Sequence, residues 1–320
     1  MRKLSIYIIS SILSTSIFAA TQDIGFETVS LRMGIVVPSI PLEILPIAGI
    51  AAPSLSYEQN TGGKIGLGVD WGWLGTYLSF SELDPEFDSD THGTSTYTDY
   101  QFHIFSGAIG LDLYFQDFKG YYLDNTQELD PTFFEENGNI IRDDLRSQFI
   151  GLNFSLTKNP DRLSNAAAIN NTSYQSQSGG SWYYILSVNW QKISSDSTLA
   201  PTNLIDSYGK IGSIVWAEFV TVAGGAGYGQ TWIIREPFFF HANLGLSAGP
   251  QTQQFISQSH GKESDISLSA KGVLRLALGS NGKRIFGGFT FIADNTSFQI
   301  EERYLNFLSF QGMLYLGIRI

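Results

Sequence analysis

Cysteine is absent from the 320-residue chain, and histidine occurs only four times. A chain without cysteine has neither disulfides nor a lipid-modified N-terminal cysteine, so burial and backbone pairing must supply its stability. Long apolar runs are also missing after the first twenty residues. The best candidate for a spanning helix, residues 33–52, contains Glu43 and is broken by Pro38, Pro41 and Pro46, which a continuous helix tolerates poorly. A chain that crosses a membrane without helices must form a closed barrel, because every backbone polar group needs a partner in hydrocarbon.

Positive charge is scarce as well. The chain has 19 basic and 30 acidic residues, a net charge of −11, and removal of Arg2 and Lys3 with a signal peptide would leave 17 basic residues and a net charge of about −13. This balance argues against nucleic acid as a partner and against binding of anionic lipid through a basic patch. Acidic exposed loops fit the composition better.

The first twenty residues have the pattern of a secretory signal peptide. Arg2 and Lys3 precede an apolar stretch from Leu4 to Phe18, and Ala19-Ala20 offers a cleavage site. We expect residues 1–20 to be removed. Residues 21–51 are then expected to form an N-terminal periplasmic or lumenal segment, with an additional barrel strand near residues 28–36 as the alternative, and residues 52–320 a single domain.

Three hairpins show the strongest pattern, because the two arms of each agree on which face is apolar. In the clearest one, a two-residue turn at Asn281-Gly282 pairs Leu274 with Phe289 and leaves Arg275 on the opposite face. The other two hairpins, with the same pattern, turn at Ser106-Gly107 and Gly72-Trp73. An apolar exterior around a charged interior is the inverse of a soluble barrel and is typical of an outer-membrane barrel.

The fold class predicted is all-β: an antiparallel transmembrane β-barrel of about twelve strands, within a range of ten to fourteen. The predicted strands are residues 52–60, 64–71, 74–82, 97–105, 108–118, 146–157, 181–193, 217–234, 238–248, 264–279, 284–297 and 305–320. Short turns then fall on the periplasmic side, and the acidic connections 83–96, 119–145, 194–216 and 249–263 fall outside. Two connections are exceptions to this pattern. The connection 61–63 is short although it would be extracellular. The connection 158–180 is long and lies either in the periplasm or in the lumen as a plug. Trp182 and Trp190, eight residues apart on one outward face, are predicted to lie in the two aromatic girdles.

Several motifs resemble an uncharacterised family of Gram-negative outer-membrane proteins, known only as a domain of unknown function. The motifs are Tyr57-Glu58-Gln59-Asn60 with Gly66-Leu67-Gly68, the run from Gly110 to Gln116 with Gly120-Tyr121-Tyr122, and the segment from Gln175 to Ser181 with Ser164 and Ala166-Ala167. The resemblance spans roughly residues 50–320. It implies a β-barrel in the bacterial outer membrane and brings no catalytic residues. The last strand, ending at Ile320, resembles the terminal signal read by the barrel-assembly machinery, which is therefore an expected partner.

The best candidates for function are polar residues on the inward faces of the strands. They are Asp99, Gln101, His103, Asp112, Tyr114, Gln116, Lys271, Arg275 and Asp294. Charges of both signs across a narrow lumen either order water and select small polar solutes or form a static salt-bridge core that fills the barrel. We expect passive passage of a small polar solute as the leading function. A structural or surface-interaction barrel without a pore is the alternative.

An enzymatic role is not expected. A lipid hydrolase on the outer wall, the third and least favoured hypothesis, needs a histidine facing lipid beside a serine, whereas His103 and His241 fall on inward faces and His92 and His260 in loops. No metal site is predicted, because the acidic run 82–90 lacks the glycine and the terminal glutamate of a calcium loop. We expect a monomer without cofactors, in contact with outer-membrane lipid and lipopolysaccharide.

Overall fold

A computed structural model of the chain describes residues 29–46, 53–84, 87–258, 261–300 and 303–320. The predicted signal peptide lies outside the described residues. The described chain forms one antiparallel sheet that closes on itself, with short helices in the connections. Of the described helices, none has the length and apolar character needed to cross a membrane.

Strands account for most of the described chain. They are β1 (Val29–Ser39), β2 (Leu42–Pro46), β3 (Leu55–Glu58), β4 (Lys64–Trp71), β5 (Leu74–Glu82), β6 (Thr96–Ser106), β7 (Ile109–Leu123), β8 (Ile140–Thr157), β9 (Gly179–Ser194), β10 (Ile214–Arg235), β11 (Phe238–Ser257), β12 (Gly261–Asn281), β13 (Ile285–Ile300) and β14 (Arg303–Arg319). The helices are α1 (Ser89–His92), α2 (Thr126–Leu129), α3 (Pro131–Asn137) and α4 (Ile205–Gly212), with a π-helical turn at Ala166–Asn170.

Twelve strands form the closed wall. β1 pairs with β4, each strand from β4 to β13 pairs with the next along the chain, and β14 pairs back with β1. Every pairing is antiparallel, so the predicted barrel of about twelve strands is confirmed. The remaining two strands, β2 and β3, lie between β14 and β7.

The first two wall strands are each interrupted. β1 and β2 follow β14 in one unbroken register, from Ser30 opposite Arg319 to Leu42 opposite Phe307, and the break contains Pro41, which has no N–H to donate. β3 and β4 together form the next strand, interrupted at residues 59–63. The prediction that residues 52–60 and 64–71 are two strands joined by a turn at 61–63 is therefore wrong. Residues 29–46 belong to the wall and not to a periplasmic or lumenal segment.

The wall narrows from twelve strands to ten. β5 and β6 pair only from Leu74 opposite Ile104 to Tyr77 opposite Gln101, and beyond that point β3 pairs directly with β7 at Tyr57 opposite Leu123. We call the end with the short turns 72–73, 107–108, 236–237 and 282–284 the turn end, and the opposite end the loop end. Short turns predict that the turn end faces the periplasm.

The hairpin registers test the predicted turns. Trp71 pairs with Leu74 as predicted, with Gly72 at a positive φ of 56°. The second turn is Gly107-Ala108 instead of Ser106-Gly107, because Gly107 occupies the position with positive φ. In the third hairpin, Asn281 pairs with Phe286, which leaves a four-residue loop. Relative to the prediction, the registers of the second and third hairpins are shifted by two and four residues. Because both shifts are even, every side chain stays on its predicted face.

One predicted loop is mostly strand. β11 extends to Ser257 and β12 begins at Gly261, so the predicted connection 249–263 is wrong. The strands β10, β11 and β12 are 20 to 22 residues long, about twice the length that a bilayer requires. They therefore project beyond the membrane at the loop end.

Side chains alternate between the two faces of the wall along most of the strands. Leu186, Leu244 and Leu314 are 49%, 56% and 62% exposed, whereas the adjacent Ser187 and Asn243 are almost completely buried. The exterior is thus apolar and the interior polar, as expected for a barrel in lipid.

Two segments fill the ends of the lumen. At the turn end, residues 158–178 fold into the barrel as a plug, in which Leu163 is buried and Ala168 and Ile169 pack against Phe105 and other wall residues. At the loop end, buried aromatic and aliphatic side chains form a continuous aromatic layer, covered by a lid of residues 195–213. Its largest fully buried members are Tyr57, Phe118, Tyr121, Tyr208, Phe219 and Phe298.

Closure by β1 gives the first prediction. Met33 on β1 lies directly opposite Leu316 on β14, at a separation that suits a disulfide. Because the chain has no native cysteine, Met33→Cys/Leu316→Cys is expected to form an intramolecular disulfide, detected by mass spectrometry after proteolysis.

The control pair is Leu67→Cys/Leu78→Cys, which face each other across the β4–β5 hairpin. A disulfide in the control pair without one between residues 33 and 316 would contradict closure of the wall by β1.

Candidate functional site

The nine predicted inward residues all lie inside the barrel, in what we call the ionic layer, between the plug and the aromatic layer. β6 contributes Asp99, Gln101 and His103, β7 contributes Asp112, Tyr114 and Gln116, and β12 and β13 contribute Lys271, Arg275 and Asp294. Strands far apart in sequence therefore meet across the lumen. Whether these residues act on a solute stays a prediction.

Asp112 on β7 makes side-chain contacts with both β6 and β12. Its carboxylate is completely buried, accepts a hydrogen bond from Arg275 across the lumen, and lies 2.7 Å from Nδ1 of His103 on the neighbouring strand. Arg275 is only 3% exposed. A buried carboxylate between a guanidinium and an imidazole is paired on both sides, which is the condition for keeping it charged in a low-dielectric interior.

Two further ion pairs complete the layer. Lys271 lies 3.0 Å from the carboxylate of Asp294 and donates to Asn153 Oδ1 at 2.9 Å. Arg32 Nη2 contacts Asp70 Oδ1 at 2.8 Å, and both side chains are buried. Arg275, Lys271 and Arg32 thus each have a carboxylate partner. The carboxylate of Asp99 accepts hydrogen bonds from the side-chain amides of Gln101 and Gln311, at 3.1 and 3.2 Å.

Arg32, Asp70 and Asn153 were not among the predicted site residues. Arg32 was missed because residues 21–51 were not assigned to the wall. The signal was present, since the apolar residues Leu31, Met33 and Ile35 alternate with Arg32 and Gly34, but Pro38 and Pro41 obscure the strand.

Free space inside the ionic layer is small. A cavity of about 30 Å³ is lined by side chains that include Arg32, Lys64, Asp99, Gln101 and His103. This volume suits about two water molecules.

Side chains of the wall hold the plug in place by donating to its backbone. Arg319 donates to the carbonyl of Asn171 at 2.6 Å, and Asn281 donates to those of Ala167 and Ser173 at 3.1 and 2.9 Å. Arg32 also reaches the carbonyl of Ile169 at 3.3 Å. The connection 158–180, for which the periplasm and the lumen were both left open, is therefore a plug that enters the lumen.

The two predicted girdle residues both face outward on β9. Trp182 is 60% exposed and contacts the Tyr228 ring edge-on at 5.4 Å near the turn end. Trp190 lies further towards the loop end, opposite Ile150 and Val220 of the adjacent strands. Their role as membrane anchors stays a prediction.

The histidines do not form a serine hydrolase arrangement in the described part of the chain. His103 and His241 face the lumen, and His241 Nδ1 lies 2.9 Å from Thr231 Oγ1. His92 stacks on Phe87 at 4.6 Å in the loop that follows β5. His260 lies outside the described residues.

A closed antiparallel wall with an apolar exterior and ion pairs within defines a bacterial outer-membrane β-barrel. The chain belongs to the family described as a domain of unknown function (DUF4421), whose sequence profile matches residues 46–319. The predicted family resemblance is therefore confirmed. No relative was found among curated proteins.

Several solved structures are similar to the chain, at low sequence identity. The outer-membrane protease OmpT from Escherichia coli matches with 7% identity and a TM-score of 0.40, over 94% of this chain and 99% of its own. The toluene transporter TodX of P. putida matches with 8% identity and a TM-score of 0.26, over 94% and 92%. The attachment invasion locus protein Ail of Yersinia pestis matches with 9% identity and a TM-score of 0.19, over 92% and 98%. Such scores carry no conclusion about activity.

The ion pairs generate the second prediction. Asp112→Asn leaves the Arg275 guanidinium without its buried carboxylate, so we expect the free energy of unfolding to fall by about 3–5 kcal/mol. Urea unfolding of the protein in lipid vesicles measures this loss. The control, Asp143→Asn, removes an exposed carboxylate and is expected to change stability by less than about 0.5 kcal/mol.

The double variant Asp112→Leu/Arg275→Met is expected to be more stable than Asp112→Asn, since it leaves no unpaired charge. An Asp112→Asn protein with unchanged stability would show that the ionic layer contributes nothing to the fold.

Proposed function

We propose that this protein is a closed outer-membrane barrel that acts through its surface, not a passive channel. The observation that carries the proposal is that the lumen is occupied along its whole described length by the plug, the ionic layer and the aromatic layer. This reverses the order expected from the sequence, in which passive passage of a small polar solute came first.

The charges of the ionic layer support the closed barrel. A conducting lumen holds hydrated groups that can exchange partners with passing solutes. Here Lys271, Arg275 and Arg32 each have a carboxylate within hydrogen-bonding distance, and the cavity beside Arg32 has room for only about two waters. The pairing fits a static core that fills the barrel.

The lid supports the same conclusion at the loop end. Arg142 donates to the carbonyls of Thr198 and Leu199 at 3.0 and 3.1 Å, and Tyr208 donates to that of Pro53 at 3.1 Å. Leu199 and Tyr208 are buried in the aromatic layer. A polar solute entering from this side would have to cross an apolar layer without water, which costs several kcal/mol for each unpaired polar group.

Planar-bilayer recording tests the proposal and is our third prediction. The refolded protein is expected to show no long-lived conductance steps. A variant in which residues 160–176 and 198–212 are both replaced by short Gly-Ser linkers is expected to conduct, because it lacks the plug and the lid together.

A matched control replaces residues 131–137, which form the exposed helix α3, and should remain silent. Stable conductance steps from the unaltered protein would overturn the closed-barrel proposal and restore the passive channel as the leading function.

A further inference from the structure

Three basic side chains lie side by side on the outer wall near the loop end. Lys119 on β7, Arg146 on β8 and Lys192 on β9 face outward, because the residues before and after each of them are buried. The register places Lys119 directly opposite Arg146, and Lys192 diagonally across from Arg146 on the next strand. Directly opposite side chains of a sheet begin about 5 Å apart and diagonal ones about 7–8 Å apart. We call these three residues the cationic patch.

The patch lies directly above the apolar exterior. Phe115, Ile150 and Trp190 lie next to one another on the same three strands and the same face, two to four residues closer to the turn end. At about 3.3 Å per residue and a tilt near 40°, these steps correspond to about 5–10 Å along the barrel axis. The change from apolar to charged side chains over this distance places the patch at the level of the lipid head groups.

One carboxylate is in contact with the patch. Arg146 Nε donates to Asp117 Oδ1 at 2.7 Å, and Gln148 Nε2 donates to Asp117 Oδ2 at 3.0 Å. Lys119 and Lys192 make no ion pair and no side-chain hydrogen bond with any residue that the structure describes. Because like charges directly opposite each other destabilise a sheet, the Lys119–Arg146 pair favours an anion bound between them.

A further carboxylate lies near the patch without pairing with it. Glu218 on β10 lies opposite Lys192, but within the described chain the two side chains are not in ion-pair contact. Three cations with one contacting carboxylate leave the patch positive, in a chain whose net charge is −11. A local excess of positive charge attracts an anionic partner to this part of the wall.

An open groove of about 500 Å³ begins at Lys119. It is lined by Ser89, Thr94 and Thr96, whose side chains carry hydroxyls, and by Asp143, which carries a carboxylate. Hydroxyl and carboxylate oxygens accept hydrogen bonds from sugar hydroxyls, and the volume lies within the range of small-molecule sites, roughly 300–1,000 Å³. The groove therefore suits a sugar next to an anionic group.

We infer that the cationic patch and the groove together bind the head group of lipopolysaccharide, the phosphorylated glycolipid of the outer leaflet. Its phosphates contact Lys119, Arg146 and Lys192, a sugar enters the groove, and its acyl chains lie along the apolar exterior below. A molecule with phosphates, sugars and acyl chains matches this order of charged, polar and apolar surfaces. The inference rests on the proposed function, since it names a partner for a closed barrel that acts through its surface.

Native mass spectrometry of the refolded full-length protein in detergent micelles tests the inference. Equal amounts of bisphosphorylated lipid A, the lipid anchor of lipopolysaccharide, and of the same lipid A without its phosphates compete for the protein. The measurement is the ratio of the two bound forms. Because the two lipids share their sugars and acyl chains, this ratio reports recognition of the phosphates. We expect it to favour the phosphorylated form by at least about tenfold.

The double variant Lys119→Gln/Lys192→Gln removes two charges and leaves the Arg146–Asp117 pair intact. It is expected to lower the ratio by at least about fivefold. The matched control, Lys283→Gln/Arg284→Gln, removes two exposed cations from the turn between β12 and β13 at the opposite end of the barrel. The control is expected to change the ratio by less than about twofold.

A separate variant tests the groove. Thr96 lies directly opposite Lys119, so Thr96→Trp places a ring in the groove without changing the charge of the patch. The total amount of bound lipid A is expected to fall by at least about threefold. Unchanged binding would contradict entry of a sugar into the groove.

Four results would overturn the inference as a whole. They are a ratio near one for the unaltered protein, a ratio that Lys119→Gln/Lys192→Gln leaves unchanged, an equal loss in the control variant, and binding of phosphatidylglycerol as tight as that of lipid A. Each of them would leave the closed barrel standing, because planar-bilayer recording tests the closed barrel independently.

Discussion

Backbone pairing in hydrocarbon is the constraint on which this structure depends. A strand edge without a partner in lipid costs several kcal/mol for each polar group, so the sheet must close, and β1 closes it against β14. Closure turns one face of every strand towards lipid and the other towards the axis, so that Leu31 and Leu314 face lipid while the adjacent Arg32 and Tyr315 face the axis. Charges placed on the axis then need partners. The ion pairs of the lumen therefore follow from the closure of the wall.

The sequence predicts this fold well where periodicity is unbroken and poorly where proline or a bulge interrupts it. The alternation in β6, β7, β12 and β13 identified every inward residue that was proposed, and the even register errors at the two hairpin turns left those faces intact. The first two wall strands were divided wrongly because Pro38, Pro41 and the residues 59–63 interrupt their patterns. The predicted number of wall strands, twelve, is correct because two errors cancel. The prediction divided one wall strand into residues 52–60 and 64–71, and it omitted β1. Which carboxylate pairs with which cation was beyond the sequence, since Asp112 and Arg275 meet only across the closed lumen.

Because the lumen is filled, its inward-facing residues have a different role from those of an open barrel. In an open barrel, Lys271 and Arg275 would face solute, whereas here they hold β12 to β13 and to β7 across the axis. The plug and the lid both depend on side chains that donate to backbone carbonyls, so they are attached to the wall without being part of the sheet.

A single-cysteine scan along β12 tests the central claim most directly. Each residue from 270 to 278 is replaced in turn, spin-labelled and measured for contact with oxygen in lipid and with a water-soluble nickel chelate. An apolar exterior around a filled lumen predicts that labels at 270, 274 and 278 meet oxygen, while labels at 273 and 277 meet neither quencher. Contact of the inward labels with nickel along the whole strand would reveal an open aqueous pore, and the absence of any two-residue alternation would contradict the barrel itself.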